Sequence, residues 1–100
     1  MFGRLDAIVL RFEKISQLLS DSKITSNINE FKELSKEFSS LEKLVSKYKE
    51  YRELVEQIAD LNNMSNDDDK EFAALASKEA DELSERLPVL EEELKLLLIP

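Results

Sequence analysis

Between Asn27 and Asn62 the apolar positions fall at steps of three and four: Phe31, Leu34, Phe38, Leu41, Val45, Tyr48, Tyr51, Val55, Ile58 and Leu61. That spacing predicts an α-helix with one buried seam. Neither Gly nor Pro interrupts it. Asn27, followed three residues later by Glu30, has the form of a capping box, the amide side chain accepting from an early backbone N–H while Glu30 reaches back. At about 1.5 Å per residue such a helix reaches on the order of 50 Å, longer than a globule of this size is wide. It is therefore expected to act as a strut against which other helices lie.

The flanking segments carry their own seams. From Phe2 to Ser20, Leu5, Ile8, Val9, Phe12, Ile15 and Leu19 share one face, an amphipathic helix too short to be stable unless it docks. Its aromatics, Phe2 and Phe12, are expected in the core. The polar connection from Asp21 to Ser26, around Ile24, is expected to reverse the chain and lay this helix on the early half of the strut. A second reversal is expected over Asn62 to Asp69, a cluster of turn and cap formers, with Asp68 or Asp69 capping the next helix. That helix places Phe72, Ala76, Ala80, Leu83, Leu87, Leu90, Leu94 and Leu97 on one seam. Pro88 lies inside it and predicts a kink near Ser84 to Pro88. The pattern predicts an all-α chain with helices at about 2–20, 27–62 and 68–99, forming one domain. Its architecture is expected to be an antiparallel helical hairpin, or coiled coil, with a shorter N-terminal helix completing a three-helix bundle.

Composition narrows the chemistry. One hundred residues with one Gly and two Pro suit a single helical domain. There is no Cys and no His, which removes disulfides, thiolate metal sites, and the commonest general base and metal ligand. No cofactor is expected. No apolar run approaches membrane-spanning length, so a soluble, cytoplasmic chain without membrane contact is expected. Asp67, Asp68 and Asp69 in a row suggest calcium, but an EF-hand loop counted from Asp67 would need Gly and Glu where Phe72 and Lys78 stand, so capping is the better reading. A small enzyme using paired carboxylates, from Glu91 to Glu93 or from Asp67 to Asp69, is the weakest hypothesis for want of a Cys or His to assist.

Charge is uneven along the chain. Residues 1–65 hold 10 Lys and Arg against 11 Asp and Glu, net −1, while residues 66–100 hold 4 against 11, net −7. Sequence-specific binding of nucleic acid is therefore not expected. Lys32, Lys36, Lys43 and Lys47 nevertheless fall within about 60° of one another on the helical wheel. With Glu33, Glu37 and Glu42 nearby, the simpler reading is a solvated face laced with ion pairs, and the other is a contact stripe for a partner. A protruding hairpin with few core contacts, its tip near Asn62 to Asp69, also suits docking better than catalysis, with Asp67, Asp68 and Asp69 as possible contacts. At the other end, Leu96, Leu97, Leu98 and Ile99 are more consecutive apolar residues than one face can bury, and Pro100 follows. These five residues are expected to form a junction to a further portion of a longer protein.

The run Phe31-Lys-Glu-Leu-Ser-Lys-Glu-Phe-Ser-Ser-Leu41, its continuation through Tyr48 and Tyr51, and the ending Leu90-Glu-Glu-Glu-Leu-Lys-Leu-Leu-Leu-Ile-Pro100 resemble the N-terminal helical domain of bacterial peptide chain release factors of type 1. The related type 2 factors usually carry a Trp near the strut, and this chain has none. The resemblance implies a domain cut from a factor that directs stop-codon-dependent hydrolysis of peptidyl-tRNA. It further implies docking at the stalk base of the large ribosomal subunit, near the GTPase-associated region, and involvement with the GTPase release factor. It does not make this chain an enzyme. The family's Gly-Gly-Gln loop and Pro-x-Thr tripeptide cannot be present, because Gly3 is the sole glycine and Thr25, the sole threonine, follows Ile24. A monomer is expected on this reading, and the alternative is a free-standing coiled-coil adaptor or chaperone-like hairpin that buries its apolar end as a homo-oligomer.

Overall fold

The computed structural model describes residues 2–100 and is all-α, with no strand among the described residues. Five helices follow in order: α1 (Phe2–Leu19), α2 (Ser22–Thr25), α3 (Ile28–Met64), α4 (Lys70–Ser84) and α5 (Leu87–Leu97). They group into two compact units, the first ending at Ser46 and the second beginning at Lys47, so that α3 contributes to both.

In the first unit α1 turns Leu5, Val9 and Ile15 inward, and the first part of α3 adds Leu34, Leu44 and Val45. Phe12 and Phe38 are half-buried and stack with ring centroids 4.4 Å apart and planes 19° from parallel. This joins α1 to α3 with a contact whose area and ring geometry both contribute. Phe2, expected in the core, remains 42% exposed. The link between α1 and α3 is more ordered than a plain polar reversal. The Asp21 side chain accepts from the Lys23 N–H and starts the single turn of α2, whose end is closed by Ser26 N–H donating to Ser22 O. At the start of α3, Asn27 Oδ1 accepts from the Glu30 N–H at 3.2 Å, the first half of the expected box.

In the second unit the later part of α3 buries Tyr48, Tyr51, Leu54 and Ile58, α4 buries Ala76 and Ala80, and α5 buries Leu90 and Leu94. The predicted seam needs two changes. Val55 is 42% exposed and Phe31 39% exposed, while Leu44 and Leu54 are buried. At about 100° per residue, Val55 points within about 30° of the mean direction of Tyr48, Tyr51 and Ile58, and Leu54 about 70° from it, so the spacing of α3 alone does not account for the burial of Leu54 in place of Val55.

The predicted 68–99 helix is two helices. Pro88 has no N–H to donate to Ser84 O, and its ring crowds that carbonyl. The chain answers with tight i→i−3 bonds, Glu85 N–H to Glu82 O and Arg86 N–H to Leu83 O, and restarts as α5 with Pro88 in its first turn. Glu85 and Arg86 both keep right-handed helical angles, so the break is a compact turn and not a loop.

Candidate functional site

The sequence-predicted contact residues fall into three settings, and only some remain available to a partner. Among the three consecutive aspartates, Asp69 is the N-cap of α4, its Oδ1 accepting from Glu71 N–H at 3.1 Å and Phe72 N–H at 3.2 Å. Asp67 Oδ1 accepts from Asp69 N–H at 2.9 Å and shapes the turn that delivers the cap. Asp68 is exposed and makes no hydrogen bond or ion pair among the described residues. No group of three or more acids there could hold a metal ion.

Lys47 belongs to the internal framework of the second unit. Its Nζ lies 2.7 Å from Glu93 Oε2 and 3.5 Å from Glu50 Oε2, and Arg86 reaches the other oxygen of Glu50 at 3.4 Å. These charges tie α3 to α5 and neutralise one another around a mixed-charge depression that also includes Glu82 and Glu85. The hydrogen bond to Glu93 raises the Lys47 pKa, partly opposed by loss of solvent. Beside them, the Tyr51 hydroxyl donates to Glu91 Oε1 at 3.0 Å, and burial, followed by that bond, pushes its phenol pKa up. The Arg52 guanidinium lies 4.9 Å from the centre of the Tyr48 ring, a cation–π contact on the same helix.

Lys32, Lys36 and Lys43, in the first unit, are exposed and make no ion pair among the described residues. Among the described residues none of the carboxylates expected along this face, Glu33, Glu37 and Glu42, pairs with these three lysines. Arg11 of α1 grips Glu37 with two parallel bonds, Nε to Oε2 at 2.7 Å and a terminal nitrogen to Oε1 at 2.8 Å. That hydrogen bonding lowers the Glu37 pKa and raises the Arg11 pKa. Both side chains remain well exposed, so the pair fixes register more than it stabilises. Lys32 and Lys36 instead border a shallow, mostly apolar depression on α3 with Ile28 and Phe31. Ile28 is 79% exposed. The sequence shows the lysines but hides the apolar residues beside them, since the spacing of α3 places Phe31 on the seam.

At the chain's end, Leu96 and Ile99 are 65% and 64% exposed while Leu97 and Leu98 are half-buried. No helix among the described residues is long and apolar enough to cross a membrane.

Comparison with known proteins gives these surfaces a context. Residues 8–100 match the PCRF domain family. The chain is 43% identical, over its whole length, to peptide chain release factor 1 of Chlorobaculum tepidum. It is 47% identical over 97% of its length to the factor of the same name from Aliarcobacter butzleri, and 43% identical over its whole length to that from Staphylococcus carnosus. It spans only 27% to 28% of the length of these relatives. No solved structure matches it.

Proposed function

Starting from the premise that this chain belongs to the PCRF domain family, being the N-terminal helical domain of a type 1 peptide chain release factor, we propose that it is the factor's docking domain. It carries no peptide-releasing chemistry of its own and acts in the cytoplasm, bringing the parent factor to the stalk base of the large ribosomal subunit and to the GTPase release factor. The observation that carries this reading is the match over residues 8–100 together with identities of 43% to 47% to release factors.

The physical features agree with a docking role. Among the described residues, shifted pKa values fall on Arg11, Glu37, Lys47 and Tyr51, and each of these shifts has a structural partner as its cause or a contributor to it. None is a poised acid or base facing a reactive cleft. The turn at residues 65–69 offers an acidic tip to basic ribosomal-protein surfaces. Of its aspartates, Asp68 is the one with no structural duty, and it is the residue expected to make the charge-dependent contact.

The test is binding of the fluorescently labelled chain to purified large ribosomal subunits. Saturable binding is expected, weakening as salt screens the contact and again in Asp68→Lys. Binding indifferent to both changes would move the interface away from this tip. Absence of any binding would overturn the docking role.

A further inference from the structure

The first eleven or so residues of α3 sort their chemistry by direction. At about 100° per residue, Ile28, Lys32, Ser35, Lys36 and Ser39 fall within a sector of about 100°, with Phe31 at its edge toward the core. Glu30, Glu33 and Glu37 project to the other side. The depression lined by these six residues therefore contains two ammonium groups, two apolar side chains and two small hydroxyls, and no carboxylate. In a chain of net charge −8 this is a local exception.

Three features define what would fit there. Ile28 is 79% and Phe31 39% exposed, so an apolar partner has two anchors to cover. Ser35 and Ser39, one turn apart, keep the middle of the stripe low enough for another helix to approach. Lys32 and Lys36 are exposed with no ion pair among the described residues, and the acids that might have neutralised them are directed elsewhere, Glu37 onto Arg11.

We propose that this face is a docking site for an acidic amphipathic α-helix of a protein partner, whose apolar residues at i, i+3 or i+4, and i+7 cover Ile28 and Phe31 while its carboxylates meet Lys32 and Lys36. The linear, one-helix form of the stripe matches the helix-against-helix mode of recognition, and its lysines select the sign of the partner. Apolar anchors beside the cations favour a protein helix over a nucleic-acid backbone, which would use the charges and leave Ile28 uncovered. The inference is independent of the release-factor reading, since it rests on α3 alone and on no property of the ribosome.

The experiment is a titration of the isotopically labelled chain, followed by amide chemical shifts. Its probes are a synthetic helical peptide with Leu at i, i+4, i+7 and i+11 and Glu between them, a scrambled peptide of the same composition, the same helix with Lys replacing Glu, and an oligouridylate. Saturable shifts are expected for the acidic helix, centred on residues 28–39, with the scrambled and Lys peptides at least tenfold weaker. The double variant Lys32→Glu/Lys36→Glu, on exposed positions that leave the helical circular dichroism unchanged, should lose at least tenfold in affinity for the acidic helix and gain affinity for the Lys helix. Ile28→Ser should weaken both. Equal binding of the scrambled peptide, an affinity untouched by the double reversal, tighter binding of the oligouridylate to the same residues, or no saturable binding at all would each overturn the proposal.

Discussion

At the scale of single residues, the aromatic and hydroxyl contacts carry the most specific expectations. Phe38 is half-buried and stacked on Phe12, so it gives up less than a fully enclosed ring. Phe38→Ala should cost about 2 to 3 kcal/mol, below the usual range for a buried Phe because part of the ring already meets water. Phe12→Ala should cost a similar amount, and the double variant less than the sum, since the stacking can be lost only once. Chemical denaturation of the three variants measures this, and strict additivity would show that the rings do not act as a pair. Tyr51→Phe removes one hydrogen bond and should cost about 1 kcal/mol. Its pH dependence has a defined sign. Because the folded phenol has its pKa raised above the unfolded value of about 10, its contribution is complete below that pH and is lost as pH rises through the folded value. Melting temperature should therefore fall more steeply above about pH 10 in the parent chain than in Tyr51→Phe. Parallel curves would contradict this.

At the scale of the helices, ends and breaks were written more plainly in the sequence than faces were. Asn27 and Asp69 cap α3 and α4 as their positions before apolar periodic runs suggest. Pro88 marks the division of α4 from α5, although a kink alone understates it: the missing N–H and the ring clash fall where α4 already ends in i→i−3 bonds. Faces were harder to read. Val55 and Leu54 are adjacent and both apolar, and the period of the helix favours Val55, so the burial of Leu54 is not written in the spacing of α3 alone. The ion pairs were hidden for a different reason. Glu37 has no lysine three or four residues away on its own helix, and its pairing with Arg11 depends on where α1 docks.

Two predictions belong to this scale. Asp69→Ala should cost about 1 kcal/mol through the lost cap, and Asp68→Ala almost nothing, as measured by thermal or chemical unfolding. Equal effects would mean that the cap is not held as described. Pro88→Ala restores an N–H that can donate to Ser84 O and should let the turn at Glu85 and Arg86 relax toward continuous helix. Hydrogen exchange at residue 88 would then be slow, and exchange at the unfolded-chain rate would show that the break has another cause.

At the scale of the whole molecule, the all-α class and the family were legible before any coordinates, because long periodic helices and the runs around Phe31 to Leu41 and Leu90 to Pro100 carry both. The candidate sites were legible only in part. Of the residues expected to face a partner, Lys47 is occupied by Glu93 and Glu50, Asp69 by α4, and Asp67 by the Asp69 amide, which leaves Asp68 and the lysines of the first unit. Consecutive aspartates look alike in a sequence; the positions of the amides that follow them decide which caps and which is free.

The central claim is that this chain docks but does no release chemistry, and one competition measurement addresses it most directly. Ribosomal termination complexes carrying a labelled peptide would be treated with the chain alone, and then with a full-length type 1 release factor in the presence of excess chain. The account predicts no peptide release by the chain alone, and a slowing of the full-length factor that grows with chain concentration and fades as salt rises, since a single small interface gives modest, screened affinity. Peptide release by the chain alone, or a full-length factor whose rate is unchanged at the highest excess, would contradict it.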